Sequence, residues 1–246
     1  MTKEAGENQI HEYIVSNIIS YTDIFKSLGD DRINQIVKKP PIVNSMFHFF
    51  EIFINERMNS RMRLMNSFDK PIFIPDITNP DIVPEGFVPF RDYYILTKNS
   101  NFLDKYKSEI CVPIKYKNIA MIGYVHAMHS TRLDFNSYNT FRLISASISK
   151  DIHNSGAFEE SRGNYLITEL STSGIQFLHP PTRLASKIFS MGGTIIFDIV
   201  AKSGLRKSVR GVIKGIKPTD TDYAISCDFS IHTHEESQAL EDFLSK

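Results

Sequence analysis

Several features that commonly indicate a function are scarce in this chain of 246 residues. Lys plus Arg and Asp plus Glu each number 28, so the formal net charge is zero and the chain lacks the basic excess that bulk DNA or RNA binding needs. No apolar run approaches the length of a membrane span, and the N-terminus carries no signal-peptide pattern. We therefore expect a cytoplasmic protein with neither DNA nor a membrane as a partner.

Cysteine and metal-ligating motifs are equally scarce. The two cysteines, Cys111 and Cys227, lie far apart and each falls in an apolar strand pattern, so we expect buried free thiols. Two histidine pairs, one at a predicted strand end and one before the last predicted helix, have no cysteine or carboxylate at a recognised ligand spacing. There is no Gly-rich phosphate loop, nucleophile elbow or catalytic carboxylate pair. The sequence thus predicts neither an enzyme nor a bound metal or cofactor.

Residues 1–39 are predicted to form helices that precede the first domain. Apolar residues recur there at helical spacing and predict a helix over about residues 8–26, namely Ile10, Tyr13, Ile14, Ile18 and Tyr21. A second short helix is predicted to start near Asp30 or Asp31 and must end before Pro40 and Pro41.

Residues 40–156 are predicted to form an α+β layer domain. Strands are predicted at residues 47–54, 62–65, 69–76, 110–116 and 119–127. The residues between the first two strands, including Arg57, are expected to form a turn. The last two strands form a hairpin about Lys117 and Asn118. A helix with one apolar face follows and stops near Gly156.

This stretch resembles a GAF domain. The resemblance rests on residues 69–76, 109–114 and 122–125 and on the helix after Phe135. It implies a fold and a homodimer. The dimer would pair the helix carrying Phe141, Ile144, Ile148 and Ile152 with the N-terminal helix across a two-fold axis. The alternative is that both apolar stripes pack on their own sheet.

Residues 157–246 are predicted to form a small antiparallel barrel closed by a C-terminal helix. Strand patterns occupy residues 193–200, 209–216 and 223–229, and the last of these alternates strictly between apolar and polar side chains. Thr233 and Glu236 form a capping box that opens a helix with Leu240 on its apolar stripe. We expect the boundary with the preceding domain to fall between residues 154 and 163.

The most informative string lies between two short apolar runs of this second domain: Glu169-Leu170-Ser171-Thr172-Ser173-Gly174. Backbone N–H groups at such a turn, helped by serine hydroxyls, can cradle a phosphate or a base edge. The string resembles the PilZ-domain signature, Asp or Asn-x-Ser-x-x-Gly, with Glu169 in place of the usual Asp or Asn. That resemblance implies a receptor for the second messenger cyclic di-GMP.

The resemblance implies a role for each candidate residue. Glu169 and Ser171 would accept from the guanine edge and orient it, while Ser173 and the backbone near Gly174 would hold the turn or a phosphate. Arg162 is the candidate clamp on phosphate or guanine, because guanidinium groups bond both. Lys214 occupies a strand position at which PilZ proteins often place a residue that packs on the base.

PilZ receptors usually carry an Arg-x-x-x-Arg string before the signature, and none lies between Phe135 and Glu169. Two such strings lie elsewhere, at residues 57–61 and 206–210, and either is an alternative source of the clamp. The sequence predicts a non-enzymatic cyclic di-GMP receptor that couples ligand binding to an unidentified effector protein. The competing hypothesis is a degenerate PilZ domain that binds no nucleotide and works through protein contacts.

Overall fold

A computed structural model describes residues 12–38, 46–98, 105–231 and 233–245. The chain divides into two units. Unit 1 combines the residues up to Ile24 with those from Phe158 onward, and unit 2 comprises Phe25–Ala157. Unit 2 is therefore an insertion between two parts of unit 1 in the sequence.

The described elements follow one another in this order along the chain: β1 (Tyr13–Ser20), α1 (Tyr21–Lys26), α2 (Asp31–Val37), β2 (Phe49–Ile54), α3 (Ser60–Phe68), β3 (Ile72–Ile74), α4 (Phe90–Thr97), β4 (Ser108–Tyr116), β5 (Ala120–His129), α5 (Phe135–Asn154), β6 (Tyr165–Leu170), β7 (Gly174–His179), α6 (Arg183–Ile188), β8 (Thr194–Ala201), β9 (Arg206–Pro218), β10 (Tyr223–Phe229) and α7 (His234–Leu244). Short 3₁₀ turns lie at Ser27–Gly29 and Pro80–Ile82.

Unit 1 is a closed barrel with the strand order β1-β6-β7-β10-β9-β8, and all its pairings are antiparallel. Its interior is filled by apolar residues from every strand, among them Val15, Ile167, Phe177, Phe197, Ile213 and Ile225. Helix α7 packs Leu240 onto this core, and the Thr233 hydroxyl caps the helix by accepting from the N–H of Glu236 at 3.1 Å. The predicted antiparallel barrel with a C-terminal helix is confirmed.

The predicted N-terminal helix is wrong over residues 13–20, because Tyr13–Ser20 is the first barrel strand, whereas Tyr21–Lys26 is helical as predicted. The pairing of β1 with β8 shifts register between Ser16 and Ile19, and Asn17 within this bulge has φ of 51°. An extra residue in a strand breaks the alternation of period 2. The buried positions therefore recur at a spacing that imitates a helix. The helix at Tyr21–Lys26 is short, and Ile10 lies outside the described residues.

Unit 2 contains a four-stranded sheet in the order β2-β5-β4-β3. The predicted hairpin is confirmed: Lys117 and Asn118 both have positive φ, at 50° and 59°, as a two-residue turn between twisted strands requires. The short strand β3 lies at the edge of the sheet, where the flanking Pro71 and Pro75 are tolerated. Helix α5 packs on one face of the sheet, whereas α3 and α4 cover the other face.

The structure also bears on the strand predicted at residues 62–65 and on the helix expected to form a dimer. The strand predicted at residues 62–65 is wrong, because Ser60–Phe68 is a helix whose N-cap, Asn59, accepts from the N–H of Met62 at 3.0 Å. The helix expected to carry a dimer face uses that face within unit 2. Its residues Phe141, Ile148 and Ile152 are buried, and α5 packs against β4 and β5.

Candidate functional site

The signature turn, residues 171–174, connects β6 to β7 at one end of the barrel. The N–H of Ser171 donates to the carbonyl of Gly174 at 2.9 Å, which closes the turn. The Ser171 hydroxyl accepts from the N–H groups of Ser173 and Gly174 at 3.2 and 3.1 Å, and lies 3.0 Å from the Ser173 hydroxyl. Ser171 therefore stabilises the turn from inside, rather than presenting its hydroxyl outward.

Gly174 is required here by a close approach of two backbones. It pairs with Asp228 of β10, and a Cβ at position 174 would lie 2.6 Å from the carbonyl oxygen of Cys227. Because backbone atoms cannot move aside as a flexible side chain can, any larger residue would push the two strands apart. The last position of the signature is thus explained by packing alone.

Glu169 lies on the outside of the barrel, where the pairing of β6 with β7 shifts register between Ile167 and Glu169. Among the described residues its carboxylate forms no hydrogen bond. Beside it runs an outward-facing chain of hydrogen bonds in which Thr168 donates to the side-chain oxygen of Gln176 at 2.9 Å. Gln176 in turn donates to the hydroxyl of Ser226 at 2.9 Å. A free carboxylate next to this polar chain can accept two N–H donors from a base edge.

Lys214 lies close to the turn across the sheet. Its Nζ is 3.5 Å from Oδ2 of Asp228, and the two side chains are 57% and 66% exposed. Asp228 pairs with Gly174 on one side and with Val212 on the other, so Lys214 lies on the same outer surface as the signature turn. An ion pair this exposed contributes little stability and dissociates readily when another anion competes.

Arg162 is not brought together with the turn. It precedes β6, whereas the turn follows it, and a six-residue strand spans about 17 Å. Its guanidinium is 67% exposed, and Nε lies 3.7 Å from the carboxylate of Glu160. The residue proposed from sequence as the clamp is therefore at the opposite end of β6 from Ser171.

Arg210 is the arginine that the barrel places beside the turn. The N–H of Phe229 donates to the carbonyl of Ser173, and the next N–H, that of Ser230, donates to the carbonyl of Arg210, both at 2.8 Å. One extended segment therefore separates Ser173 from Arg210, a distance of about 10 Å between their backbones. The guanidinium lies over the ring of Tyr21 at 5.8 Å, and its Nε is buried and has no hydrogen-bond partner among the residues that the structure describes.

The signal for Arg210 was present in the sequence as the Arg-x-x-x-Arg string at residues 206–210. What the sequence did not contain was the pairing of β9 with the end of β10, which determines the end of the barrel at which the string lies. The two arginines of the other Arg-x-x-x-Arg string, at residues 57–61, lie in different environments. Arg61 is committed to the interior of unit 2, where Nε donates to Glu109 at 2.8 Å, whereas Arg57 is exposed.

A buried polar network inside the barrel was not anticipated. The Ser161 hydroxyl lies 3.0 Å from Nε2 of His179, and the ring of His179 stacks on that of Tyr165 at 4.3 Å. Nδ1 of His179 lies 2.8 Å from the carbonyl of Pro180, so this nitrogen carries the proton and Nε2 accepts from serine. Burial lowers the pKa of His179. Both residues are closed off from solvent.

The comparisons with known proteins give no identification: no family model matches the chain, and no curated protein matches it. Within the described ranges, no group of three or more His, Cys, Asp or Glu side chains is arranged to hold a metal ion. None of the helices that the structure describes combines the length and hydropathy needed to cross a bilayer.

Proposed function

We propose that unit 1 is a receptor for cyclic di-GMP that binds its ligand on the outer surface of the barrel beside the signature turn. One observation carries the proposal. The turn resembling the PilZ signature connects β6 to β7 of a closed antiparallel barrel. Phe229, the last residue of β10, and Ser230 after it connect this turn to Arg210. An acceptor of guanine donors and a cation for guanine or phosphate thus lie on one end of the same barrel.

The chemistry of the ligand fits these groups. The exposed carboxylate of Glu169 accepts N1–H and N2–H of guanine, but repels phosphate, so the base is its target. A guanidinium bonds O6 and N7 of guanine bidentately or pairs with phosphate, and Arg210 replaces Arg162 in this role. Lys214 supplies a second cation once it leaves Asp228. Ser171 and Gly174 keep the turn in shape, and Ser173 is the hydroxyl at its exposed side.

Calorimetric titration of the full chain with cyclic di-GMP tests this proposal. We expect saturable binding with Kd in the micromolar range or tighter, which is about −8 kcal/mol at 1 μM. Arg210→Gln should weaken binding by about 1.5–3 kcal/mol through loss of a charge-assisted contact. Arg162→Gln removes the same charge from the far end of β6 and is the matched control, so it should leave the affinity unchanged.

Two results would count against this assignment. If millimolar cyclic di-GMP produces neither heat nor a thermal shift, the barrel is not a receptor for this nucleotide. If Arg162→Gln weakens binding and Arg210→Gln does not, the clamp is the one predicted from sequence. A melting temperature within a few degrees of wild type shows that each variant is folded, because a loss of 1 kcal/mol moves Tm by about 2–4 °C in a protein of this size.

A degenerate barrel that works through protein contacts is the second candidate. Two observations favour it: the Ser171 hydroxyl is used within the turn, and Lys214 is already paired with Asp228. In either case the output is contact with an effector protein. The GAF-like identity of unit 2 and the homodimer also stay predictions. A dimer mass by light scattering at tens of micromolar protein would support the dimer, and a monomer mass would exclude it at that concentration.

A further inference from the structure

Unit 2 contains an open cavity of about 400 Å³ at the edge of its sheet, beside β3 and the start of α5. Its walls are mainly apolar and are formed by Phe73, Pro75, Ile82, Pro84 and Phe135, with Arg132 at its margin. Small-molecule sites are typically concave, mostly apolar and of this size, with a few polar groups that fix orientation. The cavity therefore has the general composition of a binding site and is separate in sequence from the barrel surface.

The apolar wall is held in place by packing. Phe73 is buried and contacts the ring of Tyr138 at 5.6 Å and that of Phe135 at 6.1 Å. The N–H of Leu133 donates to the carbonyl of Pro75 at 3.1 Å, which ties the two sides of the cavity together. Even so, Phe135 is 50% exposed, although neighbouring rings form an aromatic cluster. One wall of the cavity is thus an aromatic ring accessible to a ligand.

Arg132 is the cation at this cavity. The pKa of Asp76 is lowered by hydrogen bonds from Thr78 and, to a smaller extent, by the charges of Lys107 and Arg132, so Arg132 already interacts electrostatically with one carboxylate. Its side chain is exposed and forms no hydrogen bond or ion pair with the residues that the structure describes. The nearby carboxylates already have partners. Asp134 accepts from the N–H and hydroxyl of Ser137 at 2.8 and 2.7 Å, and thereby caps α5. Asp76 accepts from the N–H and hydroxyl of Thr78 at 2.9 and 2.6 Å.

We propose that this cavity binds small monocarboxylates that have an aromatic or compact apolar body. The guanidinium of Arg132 presents a planar fork that matches a carboxylate bidentately. The body of the ligand packs on Phe135 and against the proline and isoleucine side chains of the wall. The capping carboxylate of Asp134 disfavours ligands that carry more than one negative charge. This inference is independent of nucleotide binding by the barrel.

Three probes separate the parts of this proposal. We would titrate the ¹⁵N-labelled full chain with phenylacetate, phenethylamine and acetate, and follow the backbone amides of Leu133 and Phe135 by NMR. Phenylacetate carries both the ring and the carboxylate, phenethylamine carries the ring with a positive charge in place of the carboxylate, and acetate carries the carboxylate without the ring. We expect saturable shifts with phenylacetate only. Equal shifts with phenethylamine would indicate unspecific apolar binding, equal shifts with acetate would indicate unspecific anion binding, and either would overturn the proposal.

A charge-matched pair of variants locates the ligand. Arg132→Gln should raise the Kd for phenylacetate by about ten- to a hundredfold, the effect of losing a charge-assisted contact. Arg63→Gln removes an exposed arginine from α3, outside the cavity, and should leave the Kd unchanged. Both positions are exposed, so neither variant endangers folding. Unchanged binding in Arg132→Gln, or no phenylacetate binding to the wild-type chain, would overturn the proposal.

Discussion

In the interior of unit 2, Nε of Arg61 donates to Oε1 of Glu109 at 2.8 Å. Glu109 is fully buried, and the hydroxyl of Tyr93 donates to its other oxygen at 2.7 Å. Nε2 of His126 lies 3.0 Å from the same carboxylate without the alignment of a hydrogen bond. Burial alone would raise the pKa of Glu109, but His126 and Arg61 outweigh it and hold the pKa well below its usual value. The carboxylate is thus charged inside an apolar layer.

Arg61→Met should destabilise unit 2 strongly, because it leaves the charge of Glu109 buried beside one fewer cation. Removal of one partner from a buried ion pair costs about 3–5 kcal/mol. Arg63→Met on the same helix is exposed and should change stability by less than about 0.5 kcal/mol. Urea midpoints of the two variants measure the difference. Adding Glu109→Gln to Arg61→Met should restore part of the loss, and a purely additive double variant would contradict the pairing.

The same cluster makes unit 2 less stable at high pH. Burial alone would lower the pKa of His126. The carboxylates of Glu109 and Glu51 raise this pKa by more than burial lowers it, so the folded-state pKa lies above the ordinary 6.5. Below pH 6.5 the ring is protonated in both folded and unfolded chains, and its stabilisation is fully present. That stabilisation is lost as the pH rises through the folded-state pKa. The thermal midpoint of wild type should therefore exceed that of His126→Gln most at about pH 6, and the gap should narrow toward pH 9.

His179 in the barrel should show the opposite dependence. Burial lowers its pKa, so between the folded-state pKa and 6.5 the unfolded chain binds a proton that the folded chain does not. Its contribution is present above pH 6.5 and is lost as the pH falls through the folded-state value. Protection factors of amides in β7, which correct for the pH dependence of intrinsic exchange, should fall as the pH drops from 6.5 to the folded-state pKa, unlike those in β5. Unchanged protection factors in β7 over this range would contradict this assignment.

Elements of the fold could be predicted from sequence where the local residue pattern and the tertiary packing favour the same structure. The alternation in β10, the capping box of α7 and the turn at Lys117 and Asn118 each specify one structure locally. The bulge at Asn17 does not, because one extra residue changes the apparent period of the whole strand. The insertion of unit 2 after β1 was likewise invisible, since no local signal marks a strand that completes a barrel with residues more than a hundred positions away.

The site was predictable as a string of residues but not as a surface. Gly174 and Ser171 act within their own hairpin, so the local sequence of residues 169–174 was enough to predict their turn. The cation was assigned to Arg162 because proximity along the chain was the available guide. Position across the sheet depends on the pairing of β9 with β10, which places the backbone of Arg210 one strand away from the turn and leaves Arg162 at the far end of β6.

Gly174→Ala should disrupt the signature turn by packing alone. The added methyl group would lie 2.6 Å from the carbonyl oxygen of Cys227, and overpacking of this kind costs about 1–3 kcal/mol. Gly215→Ala is the matched control in the same barrel, because its Cβ would meet only Ser226 at an ordinary 3.5 Å. Thermal melts of both variants measure the difference, and Gly174→Ala should have the lower melting temperature. Equal stability of the two would show that the strands can separate without cost.

The roles of Glu169 and Ser171 can be separated, because one carboxylate is unpaired and one hydroxyl is built into the turn. Glu169→Gln keeps the size of the side chain, but replaces one acceptor oxygen with a donor and removes the charge. It should therefore weaken cyclic di-GMP binding by about 1.5–3 kcal/mol without a change in thermal midpoint. Ser171→Ala instead deprives the N–H groups of Ser173 and Gly174 of their acceptor, and should lower barrel stability by about 0.5–1.5 kcal/mol.

Calorimetry and thermal melts on the same two preparations distinguish these roles. Ser171→Thr retains the hydroxyl and is the matched control, so it should recover most of the stability lost in Ser171→Ala. If Ser171→Ala weakens binding while its melt matches wild type, the hydroxyl contacts the ligand, as the resemblance to PilZ implied. If Glu169→Gln changes neither quantity, the guanine edge does not lie at this carboxylate. In that case the outer surface near Arg210 and Lys214 would have to bind the ligand through phosphate alone.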